Sequence, residues 1–177
     1  ISSLEAGWYV ATSTITFDHT ITLNGNVNLI LADGAKMTVN PNDEKGINYA
    51  DEYHFAIYGQ KFQSGILEIK NCDGGIYGYG VFILNGGNIL MTDGIGGYGI
   101  YSERSITINR GTVNIQSQQL SLNSWDNIEI NGGEVNLESQ ERCAIEAANN
   151  CTINGGKVKV TTKSEYDPAI YAKGNIT

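Results

Sequence analysis

The sequence has few cysteines, few prolines and little positive charge. Its 177 residues include 3 Cys, 2 Pro and 2 His, and 19 acidic residues outnumber 11 basic ones, for a net charge of −8. No apolar run reaches the roughly 18 residues of a membrane-spanning helix, so we expect no membrane insertion. A surface this acidic repels phosphate groups, which argues against nucleic acid as a partner. The charge is compatible with neutral glycans, cations or a basic protein.

The cysteines show no pattern of a metal or catalytic site. Cys72, Cys143 and Cys151 form neither a Cys-x-x-Cys pair nor a zinc-like spacing with His19 or His54. Isolated cysteines of this kind usually behave as small buried apolar residues. We therefore expect buried thiols and no cofactor held by cysteine or histidine.

The abundant residue types favour strands and turns. The chain contains 22 Ile but only 10 Leu, together with 19 Asn and 22 Gly. β-branched side chains suit a pleated sheet, whereas Asn and Gly suit tight turns. The composition therefore predicts an all-β fold.

Self-similarity is the strongest signal in the sequence. Four segments share the pattern apolar-x-apolar-Asn-(Gly/Arg)-Gly-x-apolar-x-apolar, namely residues 82–91, 106–115, 128–137 and 151–160. Their asparagines are 24, 22 and 23 residues apart: Asn85, Asn109, Asn131 and Asn154. An aliphatic residue precedes each segment by six positions, at Ile76, Ile100, Leu122 and Ile145. The same offset predicts a fifth pair, Ile170 and Ile176.

This repeat predicts a parallel β-helix, in which each coil of the chain forms one rung. A repeat of 22 to 25 residues with three short strands and no helical periodicity fits such a rung. We expect rungs to stack about 4.8 Å apart. One buried stack would contain Phe82, Ile106, Ile128, Cys151 and Ile176. The four asparagines would form a structural ladder of side-chain amides along one turn.

Two other architectures compete with the β-helix. Leucine-rich repeats have a similar length, but they need regularly placed leucines, which are scarce here. A sandwich of hairpins could use Asn-Gly-Gly turns, but it does not explain three strand positions that recur from repeat to repeat.

The N-terminal part repeats less cleanly. We expect a single domain over residues 1–177, with irregular rungs and a cap over 1–75 and regular repeats over 76–177. Residues 21–29 read as an early copy of the asparagine-glycine repeat. The polar stretch 40–54 is predicted to loop out of the coil. Because the chain stops part-way through a repeat, we expect a fragment of a longer protein with flanking domains.

Aromatic residues are the candidates for ligand binding. Three tyrosines share one outward position beside the first aliphatic of a repeat, two more lie between glycines, and a tryptophan lies on a nearby connection. They are, in that order, Tyr77, Tyr101 and Tyr171, then Tyr79 and Tyr98, then Trp125. Exposed aromatic rings can stack on the apolar face of a sugar. Tyrosine is also a common structural residue of sheet surfaces, which is the alternative interpretation.

Three acidic residues fall near one face, Glu103, Asp126 and Glu146, but none of them stacks in register with another acid. The repeat spacing places Glu134 beside Lys157 and Arg104 beside Asp126 on neighbouring rungs. This predicts ion pairs between rungs rather than an active site. Hydrolysis or elimination on a β-helix needs convergent carboxylates or a strong base on neighbouring rungs. We therefore expect no catalytic residues.

The recurring (Gly/Ala)-Ile-(Tyr/Glu) and Ile-Thr-Ile-Asn-Gly-Gly-x-Val elements resemble those of parallel β-helix surface proteins from gut and fibre-degrading bacteria. Residues 7–10, 27–35 and 57–60 are similar to the opening of such domains. Many of these proteins are classed as carbohydrate-binding-domain proteins. The resemblance implies a secreted or cell-surface location, a right-handed coil like that of pectate lyases, and large multidomain parents.

Some relatives in this group bind calcium through aspartates just before the Gly-Ile strand. In this sequence only Asp73 and Asp167 are acidic at that position, and they do not lie on adjacent rungs. The resemblance therefore supports calcium only weakly.

The repeat, the charge, the tyrosines and the resemblance together favour a non-catalytic module for adhesion or carbohydrate binding, with a polysaccharide or other glycan as partner. A polysaccharide lyase or glycoside hydrolase of the β-helix type is the first alternative. A purely structural stalk is the second.

Overall fold

Short strands with side chains that alternate between inward and outward positions build the part of the chain that the structure describes. A computed structural model describes residues 2–42, 44–50 and 52–177, and all the regular secondary structure in these ranges is β. Every pair of neighbouring strands is parallel, as a solenoid requires. The fold is the predicted β-solenoid with three strand positions in each rung.

Three faces run along the solenoid axis. The first face contains β1 (Ser3–Leu4), β4 (Ile21–Leu23), β7 (Lys45–Tyr49), β10 (Cys72–Gly78), β12 (Ile95–Ser102), β14 (Leu120–Ser124), β17 (Ile145–Ala147) and β20 (Ile170–Ala172). The second face contains β2 (Gly7–Ala11), β5 (Val27–Leu31), β8 (His54–Gly59), β11 (Val81–Met91), β13 (Ile106–Ser117), β15 (Ile128–Ile130) and β18 (Cys151–Ile153). The third face contains β3 (Ile15–Phe17), β6 (Lys36–Val39), β9 (Ile66–Ile69), the second halves of β11 and β13, β16 (Glu134–Ser139) and β19 (Lys157–Thr162).

The interior consists of aliphatic stacks that run from rung to rung. Phe82 pairs with Ile106, Ile106 with Ile128 and Ile128 with Cys151, and a bridge joins Cys151 to Ile176. The predicted stack is therefore confirmed, and its first four members have no exposed surface. The aliphatics from Ile76 to Ile170 pair in the same way on the first face.

The asparagine-glycine turns connect the second face to the third. Asn109 donates from Nδ2 to Oδ1 of Asn85 at 2.8 Å. The same bond recurs from Asn131 to Asn109 at 2.9 Å and from Asn154 to Asn131 at 2.7 Å. Asn109 and Asn131 thus each donate to the preceding rung and accept from the next, which holds the turns in register.

The three cysteines are free and buried, as expected. Burial raises the pKa of the Cys72 thiol to about 12 and that of Cys143 to about 11. Thiolate is the reactive form of cysteine, so these side chains act as small core residues.

Two expectations for the N-terminal part are wrong. The stretch 40–54 does not loop out as a whole, because β7 lies within it and pairs with β4 on one side and β10 on the other. Ile47 and Tyr49 of β7 are buried, and their two-residue spacing is the strand signal that the polar neighbours obscured. Asp43 and Asp51 of this stretch lie outside the described residues.

The second correction concerns residues 21–29. β4 pairs with β7 and so belongs to the first face, whereas the strand before Asn-Gly in the later repeats belongs to the second face. The similarity of residues 21–29 to the later repeats therefore led to an assignment that is wrong by one strand position. Residues 3–17 form three strands that pair with β4, β5 and β6, which makes them a complete first rung.

Candidate functional site

Two stacked tyrosines form the centre of an aromatic cluster on the first face. Tyr77 of β10 pairs with Tyr101 of β12, which places both side chains outward on neighbouring rungs. Their ring centroids are 4.3 Å apart and the ring planes differ by 11°. From the preceding rung, the Lys45 ammonium lies 3.5 Å from the Tyr77 ring centroid, in cation–π contact. Both sides of the Tyr77 ring are thus occupied.

The outward position of these tyrosines recurs along the face as the spacing predicted. Asn48 precedes Tyr77, and Asn123, Glu146 and Tyr171 follow Tyr101. Tyr171 is separated from the stacked pair by two rungs and is 48% exposed. It therefore lies on the same row without joining the aromatic cluster.

Tyr101 is only 5% exposed, so its ring cannot serve as an open platform. Tyr98 packs against it with centroids 5.5 Å apart, and Trp125 approaches it edge-on at 6.3 Å. Packing by these neighbours was not readable from the sequence. The stacked pair acts as a floor for the rings above it.

The exposed rings lie at the corner between the first and second faces. Tyr79 is 37% exposed and Trp125 is 61% exposed. The backbone amides of Tyr79, Glu103 and Trp125 each donate to a carbonyl of the preceding rung, at 3.1, 3.1 and 3.0 Å. These three residues therefore occupy one corner position on three successive rungs. We call them the Trp125 strip.

A carboxylate lies between the two exposed rings of the strip. Glu103 accepts a hydrogen bond from the Tyr101 hydroxyl at 3.3 Å. Burial, together with the negative charge of Glu103 and the neighbouring Tyr77, raises the pKa of Tyr101, so its hydroxyl stays protonated. Burial likewise raises the pKa of Tyr77. The tyrosines are therefore hydrogen-bonding groups and not bases.

A polar cleft adjoins the aromatic cluster. It has a volume of about 480 Å³ and is lined by Thr20, Thr22, Glu44, Lys45, Asn48 and Asp73. Thr20 donates to Glu44 at 3.0 Å. Because Lys45 lines the cleft and also covers Tyr77, the cleft and the cluster are parts of one surface. Lys45 and Asn48 were not among the sequence candidates, since polar residues at outward positions carry no distinguishing signal.

The two residues suggested for calcium lie apart along the first face. Asp73 faces the backbone of Gly97 on the next rung, which supplies no second carboxylate. The Asp167 carboxylate accepts a hydrogen bond from Ser164 at 2.8 Å and lies at the far end of the first face. In the described ranges no group of three or more His, Cys, Asp or Glu side chains could hold a metal ion. Calcium takes six to eight oxygen ligands, which include backbone carbonyls and water, so calcium binding stays a prediction.

One of the two expected cross-rung ion pairs is present. Lys157 donates to Glu134 at 2.8 Å. Asp126 instead accepts hydrogen bonds from Asn127 at 2.9 Å and Asn149 at 2.7 Å. The expected pairing with Arg104 is replaced by amides that approach Asp126 from its own rung and the next.

A comparison with protein families identifies the family of the chain. The model of a family described as carbohydrate-binding domain-containing protein matches residues 3–177. The chain belongs to this family. No curated protein and no solved structure matches it. Within the described ranges of this family member, no helix is long and apolar enough to cross a bilayer.

Proposed function

We propose that the chain is a non-catalytic carbohydrate-binding module of a secreted or cell-surface protein, and that the Trp125 strip contacts an uncharged polysaccharide. One observation carries the proposal: exposed Tyr79 and Trp125 flank Glu103 at one corner position of three successive rungs. Membership of a carbohydrate-binding family supports the ligand class.

The spacing of the strip suits a sugar chain. Rungs are about 4.8 Å apart, so Tyr79 and Trp125 are separated by roughly 10 Å along the axis. This is the length scale of a disaccharide, which lets two sugars contact the two rings. Aromatic side chains offer apolar faces to the C–H groups of a pyranose, and Glu103 can accept hydrogen bonds from its hydroxyls.

The floor under the strip favours binding with little reorganisation. Trp125 contacts Tyr101, Tyr101 stacks on Tyr77, and Tyr77 contacts Tyr79 with centroids 5.8 Å apart. A ring held by its neighbours loses less conformational freedom when a ligand arrives. The strip is thus a preorganised surface on paired strands.

The charge of the surface favours a neutral ligand. Glu103 lies at the centre of the strip, and the whole protein has a net charge of −8. Both would repel the carboxylates of an acidic polysaccharide. Glu146, an acidic residue of the tyrosine row, forms an ion pair with Arg142, with 2.8 Å between Oε2 and Nη2. Glycoside hydrolysis needs two carboxyl groups that flank the scissile bond. Asp126, on the rung after Glu103, already accepts hydrogen bonds from Asn127 and Asn149, and we assign Glu103 to hydrogen bonding with a bound sugar.

Isothermal titration calorimetry against soluble xyloglucan, galactomannan and hydroxyethylcellulose tests the proposal, with polygalacturonate as an acidic comparison. Trp125→Ala and Tyr79→Ala are each expected to weaken binding of the neutral polymers about tenfold, since each removes one stacking surface. Tyr166→Ala is the matched control, because Tyr166 is 94% exposed and lies outside the strip. All three variants should keep the wild-type melting temperature.

Two results would contradict the proposal. Wild-type protein that binds none of the polymers would favour the structural stalk. Release of reducing or unsaturated ends from any of the polymers would show an enzyme.

A further inference from the structure

The outward side of the second face carries apolar side chains on its first three rungs. Trp8 and Val10 of β2 are 63% and 51% exposed. Val10 pairs with Ile30 of β5, and Ile30 pairs with Tyr58 of β8. Outward positions of a solvated sheet are normally polar, so this group departs from the pattern of the fold. We call Trp8, Val10, Asn28, Ile30, Ala56 and Tyr58 the Trp8 patch.

The two aromatic rings of the patch are in contact. Trp8 reaches from the first rung to Tyr58 of the third, with ring centroids 5.1 Å apart and planes inclined at 40°. The Tyr58 hydroxyl donates to Oδ1 of Asn28 on the second rung at 3.4 Å. Ala56, which pairs with outward Asn28, is only 1% exposed. The patch therefore combines an exposed indole, an oriented tyrosine and a side-chain amide.

The patch carries no charge. The row through Trp8 continues with Asn28, Ala56, Ile83 and Thr107, and Glu129 on the sixth rung is its first charged member. An ionic polymer finds no partner for its charges along this row. A neutral ligand with apolar ring faces and hydroxyl groups matches the indole, the amide and the tyrosine hydroxyl together.

We infer that the Trp8 patch is a second binding surface for neutral polysaccharide, which lets one molecule hold two chains. The inference rests on the proposed function, because it assigns the same class of ligand to another face. The patch occupies rungs one to three of the second face, whereas the Trp125 strip occupies the corner of rungs four to six. Different faces and different rungs allow both surfaces to be occupied at once.

A bridging assay tests this inference. Xyloglucan, galactomannan or hydroxyethylcellulose is immobilised, the protein is captured, and a fluorescent sample of the same polymer is added. Wild-type protein should recruit the second polymer. Trp8→Ala and Trp125→Ala should each still be captured but should recruit at least tenfold less, and the double variant should not be captured. Tyr166→Ala should behave as wild type, and light scattering should show monomers throughout.

The outcomes distinguish a failure of the Trp8 patch as a binding surface from a failure of the Trp125 strip. If Trp125→Ala alone abolishes capture, or if Trp8→Ala recruits as well as wild type, the second surface is wrong and the Trp125 strip stands. If the double variant is captured as well as wild type, both surfaces are wrong. A wild-type protein captured by no polymer overturns the proposed function and the inference together. If Trp8→Ala loses bridging by converting a dimer to a monomer, the patch is a self-association surface instead.

Discussion

A tyrosine inside the solenoid has an unpaired hydroxyl. Tyr49 is 1% exposed, and its ring lies edge-on to Phe55 with centroids 6.3 Å apart. Its hydroxyl finds no hydrogen-bond partner among the described residues. Burial raises the pKa of Tyr49, so the hydroxyl remains neutral. A buried polar group without a partner costs about 1–3 kcal/mol, which makes this residue a weak point of the core.

Tyr49→Phe is therefore expected to raise the free energy of unfolding by about 1 kcal/mol, because it removes the unpaired hydroxyl and keeps the ring. Guanidinium denaturation measures the change. Tyr9→Phe is the matched control, since the Tyr9 hydroxyl donates to the Glu5 carbonyl at 3.0 Å and its loss should destabilise slightly. Equal destabilisation by both substitutions would show that a buried water or another group satisfies Tyr49.

The asparagine-glycine turn shows which glycine of the repeat the backbone conformation requires. The second glycine of each turn has a positive φ, 82° at Gly87, 97° at Gly111, 90° at Gly133 and 92° at Gly156. A Cβ on Gly133 would lie 2.5 Å from the Gly111 carbonyl oxygen of the preceding rung. The first glycine is replaced by Arg110 in one repeat, so a side chain is accepted there. In all four turns the second position combines a positive φ with close stacking, whereas at the first position only Gly86 has a positive φ.

Gly133→Ala should lower the free energy of unfolding by about 2 kcal/mol, because alanine is strained at positive φ and meets the neighbouring carbonyl. Gly155→Ala provides the comparison, since its Cβ would lie 3.0 Å from the nearest atom and its φ is not positive. Thermal denaturation of the two variants measures this difference in stability. A Gly155→Ala variant as unstable as Gly133→Ala would mean that rung stacking alone, without φ, sets the requirement.

The sequence repeat predicted strands correctly only in rungs that share the same turn residues. Rungs four to seven share the asparagine turn, so their registers follow from the spacing of Asn85, Asn109, Asn131 and Asn154. Earlier rungs turn differently: the loop after β8 is held by Asp33, which accepts hydrogen bonds from the backbone amides of Phe62 and Ser64. Such contacts join residues about thirty positions apart and leave no short pattern. β7 was missed because polar residues flank Ile47 and Tyr49, and β4 was placed on the wrong face because residues 21–29 resemble the later asparagine-glycine turns.

The positions of the tyrosines in the candidate site were predictable from the repeat, but the exposure of each ring was not. Tyr77 and Tyr101 share a position in successive repeats, so parallel stacking brings them together, and Trp125 follows on the next corner. The sequence could not indicate which ring is covered. Burial of Tyr101 depends on Tyr98 and Trp125 packing over it, and these contacts depend on side-chain directions at a corner.

At the scale of the whole molecule, the three faces differ in chemistry. The first face and its corner carry the tyrosine cluster, and the second face carries the uncharged Trp8 patch. The third face carries three ion pairs between rungs, Lys36–Glu68, Glu134–Lys157 and Glu138–Lys163, each at 2.8–2.9 Å. These three pairs lie on the face that has no aromatic cluster, and the Arg142–Glu146 pair lies on the first face beyond the Trp125 strip. Among the described residues, no ion pair therefore involves a member of either proposed binding surface.

The third face should make stability depend on pH below about 5. Burial raises the pKa of Glu68, but hydrogen bonds from Lys36 and Thr38 outweigh it and hold the pKa below its ordinary value. A hydrogen bond from Lys157 lowers the pKa of Glu134, and one from Lys163 lowers that of Glu138. A carboxylate whose pKa is lower in the folded state stabilises the fold above its ordinary pKa, and the stabilisation is lost as the pH falls through the folded value.

The melting temperature should therefore be nearly constant from pH 7 to about 5 and should fall from there towards pH 3. Glu68→Gln should lower stability at pH 7 by up to about 1 kcal/mol and make the acid decline shallower, because the variant has one fewer carboxylate to protonate. Calorimetry across this range, with Glu165→Gln as an exposed control, measures both effects. Parallel curves for Glu68→Gln and wild type would show that the Lys36–Glu68 pair contributes nothing, and the acid decline would then come from the other two pairs or from general charge repulsion. Because the Glu68 side chain is only 16% exposed while that of Glu134 is 46% exposed, added salt should weaken the Glu134 pair more than the Glu68 pair.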